Sequence, residues 1–61
     1  MTVEEARAIG RGMGMIVKIY SGKPAERAAI RQAFLSVLQE LDLHEDLEQE
    51  VRDFYWQEIV P

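Results

Sequence analysis

The chain contains no cysteine. Disulfide staples and thiolate zinc sites are therefore excluded. Histidine occurs once, at His44, and the only Ser and Thr hydroxyls are those of Thr2, Ser21 and Ser36. A catalytic nucleophile needs a base beside it, and no spacing among these residues supplies that pair. Long apolar stretches are missing as well. No uninterrupted apolar run is longer than Met15 to Val17, far short of the ~20 residues that cross a bilayer. The opening MTVEEARA is acidic and lacks a basic segment leading into an apolar one, so it does not read as a signal peptide. The expectation is a cytoplasmic protein without a membrane segment.

The remaining motifs that could carry chemistry fail on spacing. Gly10-Arg-Gly-Met-Gly14 has the composition of a phosphate loop, but neither the order of glycines nor a preceding strand. In Gly22-Lys23-Pro24 a proline stands where a nucleotide loop needs Ser or Thr. His44 and Glu48 are four apart with Asp46 between them, yet a stable metal site needs three or four well-placed ligands and a supporting shell. Glu45 and Asp46 are adjacent and diverge around a helix, unlike the opposed carboxylates of a glycosidase. The sequence thus predicts no enzyme, no catalytic or cofactor-binding residue, no metal, no cofactor and no small-molecule substrate.

What is present is a single domain of 61 residues. A chain this short buries only about 60% of the surface that it exposes when unfolded. Without disulfides or metal, it needs very good helix packing or self-association. The net charge is −4, and it is unevenly spread. Residues 1–31 sum to +3 and residues 32–61 to −7. Such asymmetry can hold two halves together, orient a dimer or present one sign of charge to a partner.

Three helices are predicted, at about 3–20, 24–41 and 43–59. The first starts at a Thr2–Glu5 capping box and carries the stripe Ala6, Ile9, Met13, Ile16 and Tyr20. It should close at Ser21-Gly22 through a left-handed glycine, with Lys18 near the negative end of the dipole. Gly10, Gly12 and Gly14 each cost this helix ~1 kcal/mol relative to alanine, and residues 15–20 have the composition of a strand. A strand there has no mate within the chain, so helix is favoured. The second helix begins at Pro24 and presents Ile30, Ala33, Phe34, Val37, Leu38 and Leu41. The third follows an Asp42–Glu45 capping box and presents Leu43, Leu47, Val51, Phe54, Tyr55 and Ile59. The apolar stripe jumps between Leu41 and Leu43, which places a break at 41–44. The fold expected is all-α, a small three-helix bundle. Without the break it would be a helical hairpin that dimerises.

Several apolar residues are left over. Ala8, Gly12, Met15 and Ile19 form a second stripe on another side of helix one, about 110° from the first at 100° per residue. A helix that is apolar on two sides is either sandwiched or at an interface. Leu35 and Trp56 fall off the main stripes of their helices, Leu35 about 140° from Ile30 and Trp56 about 140° from Val51. These six residues are the expected partner interface. Gly10 and Gly14 have the spacing that lets another backbone come close. Glu45, Asp46, Glu48, Glu50 and Asp53 form the expected acidic face of helix three.

The composition therefore points to a helical protein-binding module that binds a protein partner or itself as a homo-oligomer. It suits the small accessory regulators that phages and plasmids encode. Two other readings follow from charge. The basic first half (Arg7, Arg11, Lys18, Lys23, Arg27, Arg31) could contact phosphates, although an acidic third helix and a pI near 4.8 oppose nucleic-acid binding. Conversely, the acidic face could imitate a nucleic acid.

Overall fold

The computed structural model describes residues 1–20 and 22–60. Three helices account for most of it: α1 (Val3–Ile19), α2 (Pro24–Leu41) and α3 (Glu45–Ile59). All three are α-helical, residues 15–19 included, and the described residues contain no strand.

The ends of the helices show how local chemistry divides the chain. Thr2 caps α1, its Oγ1 accepting from the Glu5 N–H at 3.1 Å while the Thr2 N–H donates to Glu5 Oε1 at 2.9 Å. This reciprocal pair satisfies two of the amide donors that a helix start leaves orphaned. At the other end, Gly22 does not take the expected left-handed conformation, since no described glycine has positive φ. Instead Lys23 N–H donates to the Tyr20 carbonyl at 3.0 Å, which turns the chain. Ser21, the other half of that expected stop, lies outside the described residues.

The break between α2 and α3 falls within 41–44, but its capping differs from expectation. Asp42 does not cap α3; it is the C-cap of α2, in the left-handed region at φ 47°, ψ 52°. Its N–H donates to the Leu38 carbonyl at 3.3 Å. Aspartate tolerates this conformation better than most residues, so it closes the helix where a glycine would otherwise stand. His44 becomes the N-cap of α3, and its Nδ1 accepts from the Asp46 N–H at 3.3 Å.

The core is a seam between α1 and α3. The buried residues of α1 are Ala6, Gly10, Met13, Gly14 and Val17, and Val51 is their counterpart on α3. The expected α1 stripe is corrected here. The seam is turned roughly 60° toward the glycines at 100° per residue. Ile16 is 42% exposed, while Ile9 and Tyr20 are half-buried.

Gly10 and Gly14 explain the rotation, because each gives up a side chain where α3 passes. A Cβ on Gly10 would collide with the Val51 carbonyl oxygen and stand 3.1 Å from Phe54 Cβ. A Cβ on Gly14 would lie 2.6 Å from Glu58 Cβ and 3.0 Å from the Tyr55 carbonyl oxygen. The ~1 kcal/mol of helix propensity lost at each glycine is offset by close-packed contact that a larger residue would forbid. Beyond its own helix's backbone and the adjoining residues, Gly12 has no atom within 4 Å of where its Cβ would stand, so this fold does not require a glycine there.

Charge asymmetry reinforces the same pairing. Arg7 Nε donates to Glu50 Oε2 at 3.0 Å, and Lys18 Nζ reaches Glu58 Oε1 at 3.4 Å. Arg7 and Arg11 both lie over the Phe54 ring, at 5.1 and 4.9 Å from its centroid. The basic half is thus fastened to the acidic half along one flank.

The second helix is held more loosely. It buries no residue fully. Phe34 and Leu38 are partly buried against the cluster around Ala6, Met13 and Val51, and Ile30 is half-buried. The rest of its predicted apolar face is exposed, with Val37 at 45% and Leu41 at 41%. The face is wider than the contact, so one side of it packs and the other meets solvent.

Candidate functional site

The six residues expected at an interface fall into two places. Ala8, Gly12, Met15 and Ile19 stay on one side of α1, opposite the glycine seam. Ile19 is 76% exposed and Met15 55%. Ala8 is exposed and Gly12 half-buried, with nothing packed over it. Helix α2 does not cover this stripe. The sandwiched alternative, in which Met15 and Ile19 are core, is corrected by these exposures. Ile16, 42% exposed, widens the stripe into a broad apolar back on α1.

Leu35 and Trp56 are elsewhere and together. Both line a groove between α2 and α3 with a cavity of about 180 Å³. Its floor includes Met13, Phe34, Leu38 and Val51, and its walls carry Arg31 and Arg52. Trp56 meets Tyr55 edge-on, ring centroids 5.4 Å apart at 74°. Each of the two residues is about half-exposed, so they form lips rather than floor.

The sequence reading missed Ile16, Val37 and Leu41 as exposed apolar residues and assigned them to core stripes. One signal was present. The apolar arc of α2 spans roughly 140° at 100° per residue, more than one narrow contact covers.

The acidic face is divided by the fold. Glu50 turns toward α1 and pairs with Arg7, and Glu48 accepts from Arg52 Nη2 at 2.8 Å. Asp53 accepts from Gln49 Nε2 at 2.8 Å, and Asp46 sits 3.8 Å from His44 Nδ1. Glu45, Asp46 and Asp53 remain exposed on α3. Two of the five carboxylates are therefore balanced by arginine, and the outward array is smaller than the composition suggested. Likewise Arg7 and Lys18 of the basic half are engaged with α3.

Two ionisable groups depart from their ordinary values. Hydrogen bonds from the Thr2 backbone and then its hydroxyl hold the Glu5 carboxyl below the usual carboxylate range. The Arg7 guanidinium is raised by its hydrogen bond to Glu50 and then by that residue's charge. Both shifts belong to structural pairs rather than to a reactive centre.

The hydroxyls have structural partners too. Thr2 caps α1, and Ser36 Oγ donates to the Gln32 carbonyl at 3.2 Å; Ser21 lies outside the described residues. Among the described residues, no three His, Asp or Glu side chains converge in a way that could hold a metal. Among the described residues, no helix is long and apolar enough to cross a membrane. Comparison with protein families, curated proteins and solved structures finds no match to this chain.

Proposed function

We propose that the chain is a cytoplasmic, non-enzymatic helical interaction module that binds protein, and that one of its partners is a second copy of itself. The observation that carries this reading is the uncovered back of α1, where Met15, Ile16 and Ile19 are 55%, 42% and 76% exposed. Among the described hydrophobic residues, only Ala6, Met13, Val17 and Val51 are buried. The accessible surface is 4402 Å², against roughly 4,000 Å² for a compact monomer of this mass. Covering the α1 back would raise the buried apolar fraction of a domain that has little core.

The small side chains at Ala8 and Gly12 let a neighbouring helix approach closely at the centre of that back. Glycine at 12 has no use inside the monomer, and a facing backbone gives it one. The exposed carboxylates of α3 supply steering at longer range. A regulator built this way acts by occupying a surface on its target rather than by chemistry.

The test replaces Met15 and Ile19 together with glutamine. Both side chains stand in solvent, so helix content and cooperative unfolding should be retained. Sedimentation velocity should then show a monomer where the unaltered chain sediments faster. A doubly substituted chain that unfolds would mean that these residues are core, and the proposal would fall.

A further inference from the structure

We infer that the groove between α2 and α3 binds a small organic anion, namely a single ring or short hydrocarbon chain bearing one carboxylate. The groove is apolar along its floor, where Met13, Phe34, Leu38 and Val51 meet. Its volume of about 180 Å³ is close to the ~150 Å³ of an apolar cavity that accepts benzene. It is well below the ~300 Å³ at which drug-sized ligands begin. One ring fits; a row of side chains from a partner helix does not.

Charge chooses the head group. The charged residues on the walls are Arg31 from α2 and Arg52 from α3, so each wall presents a guanidinium and none presents a carboxylate. Arg31 Nε donates to the Tyr55 hydroxyl at 3.4 Å, which ties the guanidinium to the groove. Arg31 has no carboxylate in ion-pair contact among the described residues. Arg52 directs Nε and Nη2 at a single oxygen of Glu48, at 3.3 and 2.8 Å. A guanidinium carries five donors, so each arginine keeps N–H groups for a ligand carboxylate. A planar carboxylate matches that fork and forms the stronger charge-assisted bonds. The neighbouring hollow, which shares Leu35, Leu38 and Arg52, carries Asp42 and Glu48. Those carboxylates disfavour a second negative charge and limit the ligand to one.

Trp56 is the only tryptophan and forms a lip of the groove. Its emission therefore reports occupancy without a label. The chain is titrated with phenylbutyrate and, separately, with phenylbutanol, which keeps the skeleton and removes the charge. Saturable change in Trp56 emission is expected for both, with the acid about fivefold tighter, the scale of one partly exposed charge-assisted pair. Arg31→Gln should remove most of that preference and leave the alcohol unchanged, and Arg52→Gln should lower it. Both arginines are exposed, so the variants should fold, with circular dichroism as the check. The Met15→Gln/Ile19→Gln chain should bind as the unaltered chain does, which separates this site from self-association. No saturable response, equal binding of acid and alcohol, or a preference that survives both arginine substitutions would overturn the inference.

Discussion

Adding one methyl group at Gly10 should destabilise this protein, while the same change at Gly12 should stabilise it. In isolation, alanine gains up to ~1 kcal/mol over glycine inside a helix. At Gly12 nothing opposes that gain, because beyond the helix's own backbone and the adjoining residues no atom lies within 4 Å of the new Cβ. Gly12→Ala should therefore add roughly 0.5–1 kcal/mol, part of it from a less flexible unfolded chain. At Gly10 the new Cβ meets the Val51 carbonyl oxygen, and Phe54 Cβ and Tyr55 N are both 3.1 Å away. Two of these three atoms are backbone, so α1 and α3 must separate. Overpacking of this kind costs about 1–3 kcal/mol and occasionally more. Even after the propensity gain, Gly10→Ala should lose roughly 1–2 kcal/mol.

That loss is large for a domain expected to hold roughly 3–9 kcal/mol at typical stability per residue. The two variants should differ by ~1.5–3 kcal/mol, or roughly 6–24 °C in melting temperature at 4–8 °C per kcal/mol. Thermal unfolding followed by circular dichroism measures both. Dilute samples keep any effect of Gly12 on self-association out of the comparison. If the two variants shift in the same direction, the close approach of α1 and α3 is not what stabilises the fold.

Gly14→Ala should resemble Gly10→Ala in sign, because its Cβ would stand 2.6 Å from Glu58 Cβ; urea unfolding would reveal a lower midpoint. Val51→Ala removes two methyl groups from a side chain only 1% exposed and should cost about 2 kcal/mol, counting transfer and residual cavity. Glu5 supplies a pH dependence with a definite sign. Its folded-state pKa is lowered, so its contribution is present above the ordinary glutamate value of about 4.3. It is lost as pH falls through the lower folded value. Glu5→Gln should thus melt below the unaltered chain at neutral pH, and the gap should close on acidification; a gap that persists at low pH would contradict the Thr2–Glu5 pair.

Much of the fold was legible because helix starts and stops are local chemistry. Thr2 and Glu5 are three residues apart and solve the orphan-amide problem alone, and Pro24 marks a helix start for a similar reason. The rotation of α1 was less legible. Hydrophobic periodicity counts side chains, and it ranked Ile9 and Ile16 above Gly10 and Gly14. The seam instead follows the residues with the least side chain, since their value lies in what they allow α3 to do. The Asp42 cap was misassigned for a related reason: the same aspartate can start one helix or end another, and only tertiary geometry chooses. Leu35 and Trp56 were singled out by their angular offset alone, and the sequence had no means of placing them on the same groove. The acidic face was visible as composition, but Glu50 and Glu48 could be recognised as paired only once Arg7 and Arg52 had been positioned.

Sedimentation equilibrium of the unaltered chain over a wide concentration range addresses the uncovered back of α1 most directly. The weight-average mass should rise from 7.0 kDa toward twice that value as concentration increases, because the proposed interface is one apolar stripe meeting its copy. A mass that stays at a single chain up to the solubility limit would mean that Met15, Ile16 and Ile19 serve no second copy.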